Sequence, residues 1–168
     1  MKPFFKYIVL LLFVSTNLSF AQKLTKTENK ILKSIEANNA EAIQFLKDVV
    51  NINSGTMNHE GVKKVGDVFG EAFDEIGFET NWYDMTEVNR SGHLFAETSG
   101  KKGKKLLLIG HLDTVFEADS PFQEFKMVND SIAHAPGGND MKGGNVIMLY
   151  ALKALADNGL LKDAQIIA

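Results

Sequence analysis

Residues 104–115 read KKLLLIGHLDTV. The apolar run Leu106-Leu107-Leu108-Ile109 is too short for an ordinary helix and suits a strand. With no polar residue interrupting it, the run predicts a strand, Lys104 to Ile109, buried on both faces. Gly110-His111-Leu112-Asp113 then follows the C-terminal end of that strand, which in open α/β sheets borders the ligand crevice. In extended backbone, residues two apart face the same way, so His111 and Asp113 can meet. The pair fits a metal-ligating histidine whose ring is oriented by a carboxylate. It also fits a capping Asp beside a hydrogen-bonded His.

Downstream, residues 135–144 read APGGNDMKGG and lead into a helix predicted over Gly143–Asn158. Val146, Ile147, Met148, Leu149, Tyr150, Leu152 and Leu155 make that helix apolar nearly all round, which predicts deep burial. Asp140 stands on a glycine-rich loop at its N-terminus, where the macrodipole favours an ionised carboxylate by roughly 0.3–1 kcal/mol. A phosphate loop is excluded, because neither GxxxxGK[ST] nor GxGxxG is present. By itself the loop also reads as a helix-capping turn. His and Asp on two crevice-facing loops form a hard oxygen and imidazole set suited to zinc, manganese or cobalt. The two oxygens of Asp140 allow it to bridge two metals, an arrangement used for hydrolysis.

Upstream, residues 23–50 show helical spacing, with Asn38-Asn39 a predicted break between two helices. Val62, Val65, Val68, Phe69, Ala72, Phe73 and Ile76 share one face of a second helix, which Gly77 stops. Gly66 and Gly70 weaken it by about 1 kcal/mol each and point to close packing. Strands are predicted at Phe78–Tyr83 and His93–Thr98, with Gly100–Gly103 a turn. A hairpin is predicted around Asn129-Asp130, and a last strand over Asp163–Ala168. Helices and strands in alternation indicate an α/β sheet. The chain stops on the apolar Gln165-Ile166-Ile167-Ala168, and the expectation is a sequence cut off inside a buried strand.

Residues 1–21, MKPFFKYIVLLLFVSTNLSFA, have two lysines, an apolar run over Tyr7–Val14, and small residues at Ser19 and Ala21. This is a signal-peptide pattern, and the run is short of the about 20 residues that span a bilayer. The expectation is an exported, periplasmic or extracellular protein with no membrane anchor after cleavage. Taking residues 1–21 from the 168 leaves 147, enough for one domain and too few for two. Losing Lys2 and Lys6 takes the formal charge from −3 to −5, so nucleic acid is not an expected partner. There is no cysteine, which excludes disulfides, thiol nucleophiles and cysteine-based zinc sites.

GHLDTV followed by PGGNDMKGG resembles the zinc-dependent exopeptidase and deacylase family of glutamate carboxypeptidase, acetylornithine deacetylase, succinyl-diaminopimelate desuccinylase and aminoacylase. Ile52-Asn53-Ser54-Gly55-Thr56, Glu60-Gly61, Ile76-Gly77-Phe78 and Ala151-Leu152-Lys153-Ala154-Leu155 fit as well, so the resemblance runs from about residue 40 to the end. It implies an α/β, three-layer zinc-exopeptidase-like sheet with helices on both faces. Residues 22–168 would be the N-terminal part of the catalytic domain, without the inserted dimerisation domain and the C-terminal half.

By position, the resemblance makes His111 a ligand of one metal, Asp140 the carboxylate bridging two zinc ions, and Asp113 the catalytic-site acid that orients His111. It also implies a cis peptide at Asp140-Met141. His59, His93 and His134 match no ligand motif. The family's Glu-Glu pair, general base and metal ligand, and its later ligands lie beyond this chain. Glu117, Asp119 and Glu124 are wrongly placed to replace them. The implied activity is di-zinc hydrolysis of peptide or amide bonds, by an exported carboxypeptidase or dipeptidase that forms a homodimer, with these 168 residues inactive alone. The other readings are an N-acyl-amino-acid deacylase of the same family, a zinc aminopeptidase, or a non-catalytic scaffold. Met141-Lys142-Gly143-Gly144 argues against the aminopeptidase.

Overall fold

The computed structural model describes residues 23–168, and the expected leader over residues 1–21 lies outside them. Helix α1, Lys26–Val50, begins at a capping box. The Thr25 hydroxyl accepts from the Glu28 N–H at 3.2 Å, and the Glu28 carboxylate accepts from the Thr25 N–H at 2.6 Å. Two backbone donors that the first turn leaves free are satisfied reciprocally. The helix runs through Asn38-Asn39 without a break, contrary to the sequence expectation. Asparagine costs only a few tenths of a kcal/mol in a helix, and packing against a later helix outweighs that. Asn38 itself donates to Asp157 at 3.2 Å, and Phe45 packs edge-on against Tyr150.

Helix α2, His59–Glu75, is capped by Asn58, whose side chain accepts from the Gly61 N–H. Its buried face carries Val62, Val65, Phe69 and Phe73, as the spacing predicts. Gly77 ends it with φ +88°, a conformation that favours glycine. Gly66 meets its expected role in close packing, since a Cβ there would sit 2.5 Å from the Trp82 ring. A Cβ on Gly70 would make only ordinary contact.

Strands β1, Glu79–Asp84, and β2, Gly92–Glu97, form an antiparallel pair. β3 is Lys102–Leu107; β4, Lys126–Asn129, and β5, Ile132–His134, make a separate antiparallel hairpin at the expected Asn129-Asp130 turn. After helix α3, Gly143–Asp157, strand β6, Ala164–Ile167, inserts between β2 and β3. The main sheet has the order β1-β2-β6-β3, with β6 antiparallel to β2 and parallel to β3. This is the mixed α/β architecture that the alternation of elements predicts.

One core joins Val49 of α1, Val65, Phe69 and Phe73 of α2, Ala96 of β2, Val146, Leu149 and Leu152 of α3, and Ile166 of β6. Phe69 is its centre, 1% exposed and edge-on to Phe45 at 5.2 Å. Phe69→Ala is expected to cost about 3–5 kcal/mol, read as a fall in the urea midpoint at unchanged slope.

Two burial expectations need correction. β3 overlaps the expected strand but begins and ends two residues earlier, taking in Lys102 and Gly103 of the expected turn, and it is the edge strand of the described sheet. Leu107 is 61% exposed, and Leu106 is exposed too, while Leu108 just beyond the strand packs on the core. A double-sided apolar run therefore has a partner on only one side among the described residues. Likewise α3 is apolar all round but covered on one side only, with Ile147 73% exposed. No described helix is long and apolar enough to cross a membrane.

Candidate active site

His111 and Asp113 follow β3, and Asp140 comes from the turn that opens α3, so the site lies where the two loops meet. The His111 ring spans them. Its Nε2 is 2.8 Å from Asp140 Oδ1. Its Nδ1 is 3.0 Å from the Asp113 carbonyl and 3.2 Å from Asp113 Oδ1. Both atoms facing Nδ1 are acceptors, and so is the carboxylate oxygen facing Nε2, so without metal both nitrogens call for a proton, and a cation at Nε2 leaves the single proton on Nδ1. Two electron-rich atoms at hydrogen-bond distance require a proton or a cation beside them, and imidazole with carboxylate is a donor set that zinc accepts. The residues present thus fit a metal ion, and supply part of its coordination. Among the described residues, no cluster of three or more His, Asp or Glu side chains forms a fuller site.

Partial burial, the largest single influence on His111, pulls its pKa down. The hydrogen bond to Asp140, the bond to the Asp113 backbone and the charges of both carboxylates together outweigh it, and the net shift is upward. Without metal the ring keeps its proton to higher pH than usual, and a metal must displace that proton.

The Asp140 loop is the wide turn Gly138–Lys142, closed by the Lys142 N–H on the Gly137 carbonyl at 2.8 Å. Gly137 takes φ +67°, and the Asp140–Met141 peptide is cis, as the resemblance implies. Lys142, just beyond, is 1% exposed. Its ammonium donates to the Val49 and Ile52 carbonyls, each at 2.8 Å, at the C-terminal end of α1. Burial pulls its pKa down to about 8. The sequence reading missed this residue. Its signal was present: 142, 145, 146 and 149 follow helical spacing, and all four are buried.

Two further residues went unremarked as site-builders. The buried Asn145 donates from Nδ2 to the His111 carbonyl at 2.7 Å and so ties α3 to the ligand loop. Its Oδ1 has no hydrogen-bond partner among the described residues. It lies so close to Gly110 that a Cβ there would be 2.1 Å away, which is why position 110 takes no side chain. Thr56 donates to Asp113 Oδ2 at 2.5 Å. The segment carrying Thr56 runs parallel to residues 112–114, through a bridge between Gly55 and Thr114.

Glu117 accepts from the Met57 N–H at 3.0 Å. His134 stacks edge-on with Phe122, and the His59 carbonyl accepts from Ser91. His93 shares a cavity of about 390 Å³ with His111, Asp113 and Asn145. A second recess of about 330 Å³ holds His111, Asp113 and Asp140 against Val115, Phe116 and Phe122.

Residues 107–168 match peptidase family M20/M25/M40. The chain is 30% identical over 139 residues to carboxypeptidase G2 of Pseudomonas sp. strain RS-16, a match covering 80% of this chain and 32% of that protein. Human carnosine dipeptidase 1 superposes with TM-score 0.69 at 20% identity, over 83% of this chain and 33% of that one. A Staphylococcus aureus tripeptidase superposes with TM-score 0.61 at 21% identity, over 77% and 36%. The chain thus spans about a third of the length of the relatives it matches, and the structural likenesses establish the fold.

Proposed function

We propose, for a chain whose residues 107–168 are part of a peptidase family M20/M25/M40 domain, that the whole protein is a metal-dependent hydrolase of peptide bonds. The observation that carries this reading is the convergence of His111 Nε2 and Asp140 Oδ1, with Asp113 behind the ring. His111 and Asp140 would hold zinc, two ions in a complete site, with cobalt or manganese as substitutes. When bound, the metal supplies Lewis acidity and lowers the pKa of water towards about 7.

The chain's own residues prepare for that chemistry. Asp113 accepts at Nδ1 and so favours the ring tautomer that a metal at Nε2 requires. Asn145 holds the backbone of His111. Lys142 anchors the loop of Asp140. The recess beside them has an apolar wall, Val115, Phe116 and Phe122, against which an uncharged part of a substrate can lie.

The substrate we assign is a short peptide, cleaved by carboxypeptidase or dipeptidase action. The names of the relatives support this, and the signal-peptide pattern of residues 1–21 supports export and a degradative role. A homodimer is the proposed assembly. The general base and the remaining ligands belong to the part of the domain that follows, so residues 1–168 alone should bind zinc weakly and leave peptides intact. Zinc titration and dipeptide hydrolysis, run in parallel on residues 23–168 and on the whole protein, test this. Turnover by residues 23–168 that His111→Ala abolishes would overturn the split, and a whole protein without metal or hydrolysis would overturn the function.

A further inference from the structure

The structure assigns Thr56 as a positioning residue, whose hydroxyl fixes the Asp113 carboxylate and through it the working tautomer of His111. The inference rests on the metal-site reading of His111 and extends it to a residue outside both motifs. A carboxylate turns easily about its last torsion. At 33% side-chain exposure, Asp113 is not held by packing alone. Its two oxygens are used differently. Oδ1 faces His111 Nδ1 at 3.2 Å, and Oδ2 receives the Thr56 hydroxyl at 2.5 Å. The other acceptor near that hydroxyl, the Thr114 carbonyl, is 3.3 Å away, so the single hydroxyl proton goes to the carboxylate.

Thr56 is itself held firmly. Its N–H donates to the Thr114 carbonyl at 3.0 Å, and the Thr114 N–H donates back to the Ser54 carbonyl at 2.8 Å. The Ser54 hydroxyl, two residues earlier and on the same side of the extended segment, donates to the Leu112 carbonyl at 2.9 Å. A β-branched side chain on such a backbone has few rotamers open to it. The result is a directed arrangement: the Thr56 O–H holds the Asp113 carboxylate, whose other oxygen stands beside His111 Nδ1, and Nε2 is turned towards Asp140. Without the hydroxyl, Oδ2 loses its donor, the carboxylate can swing, and Nδ1 keeps only the backbone carbonyl. The proton then redistributes between the two ring nitrogens.

Thr56→Val removes the hydroxyl at nearly constant shape, and Thr56→Ser retains it. The Asp140 carboxylate competes for a proton at Nε2, so the tautomer is read in the whole, metal-free Asp140→Ala protein with labelled histidine, where nitrogen NMR at alkaline pH should show His111 held as the Nδ1–H tautomer. Thr56→Val should move it to a mixture, and Thr56→Ser should restore it. Zinc affinity is compared with Asp140 intact. By chelator competition, the valine variant should bind zinc about 10–100-fold more weakly, the range for losing an outer partner of a metal ligand, with the serine variant within about threefold of wild type. An unchanged tautomer in Thr56→Val overturns the assignment, as does zinc affinity unchanged while only the melting temperature falls. A wild-type protein that binds no zinc would instead defeat the metal reading, and the tautomer would still decide the role of Thr56.

Discussion

Asp140→Ala in the whole protein is expected to abolish zinc-dependent hydrolysis, with kcat/KM falling by more than roughly 10³-fold. The scale follows from comparison with Asp113. Losing a partner that merely orients a ligand costs about 10–100-fold in metal affinity or activity, and Asp113→Asn should fall in that range. Asp140 is different because its Oδ1 converges on His111 Nε2 at 2.8 Å, so these two side chains together would hold the proposed ion. Its removal takes away a negative charge and two oxygen donors together, which leaves His111 the only candidate ligand among the described residues. Asp140→Asn keeps the shape but loses the charge, and should lie close to Asp140→Ala. Metal analysis after gel filtration and initial rates on a dipeptide check both variants. An Asp140→Ala protein that keeps full zinc stoichiometry would show that the carboxylate is not a ligand.

The sequence carried the placement of the site further than it carried its construction. His111 and Asp113 were legible because a short apolar run ends just before them. Asp140 was legible because a glycine-rich loop precedes a strongly apolar helix. Those are local signals, and the structure brings the three residues together as the two loops predict. Thr56 and Asn145 act through hydrogen bonds to residues 57 and 34 positions away in the chain. No periodicity records such a contact. Thr56 stands in a stretch, Ile52–Thr56, whose pattern shows only a resemblance, and Asn145 stands on a helix whose apolar residues dominate its pattern. The burial of Leu106 and Leu107 was misjudged for a related reason. A pattern shows what a strand can bury, whereas the neighbours present decide what it does bury, and among the described residues β3 pairs only with β6. The helix division at Asn38-Asn39 failed because propensity was allowed to outrank packing.

Lys142 allows the sharpest test of how the Asp140 loop is held. Its ammonium is nearly fully buried and bonded to two carbonyls at the end of α1, where the helix dipole favours a cation. Lys142→Glu sets a carboxylate against those same oxygens and should yield no folded protein, since an unpaired buried charge costs several kcal/mol per ion. Lys142→Met is subtler. It orphans two carbonyls, at about 1–3 kcal/mol each, but also removes a costly buried charge. The drop of the lysine pKa from 10.5 to about 8 corresponds to roughly 3 kcal/mol at 1.36 kcal/mol per unit. At pH 7 the two effects largely offset, and the methionine variant should lose no more than about 3 kcal/mol. At higher pH they separate. The folded pKa lies below the unfolded one, so between pH 8 and 10.5 the unfolded chain binds more protons at this site. The wild type therefore gains stability from Lys142 as pH rises through that window, while a neutral amine still has the two N–H groups the carbonyls need. Lys142→Met has no such gain. Urea unfolding of the metal-free proteins at pH 7 and pH 10 should show its deficit widening by up to about 3 kcal/mol, and a deficit that stays constant would mean that Lys142 is not held charged against its own desolvation.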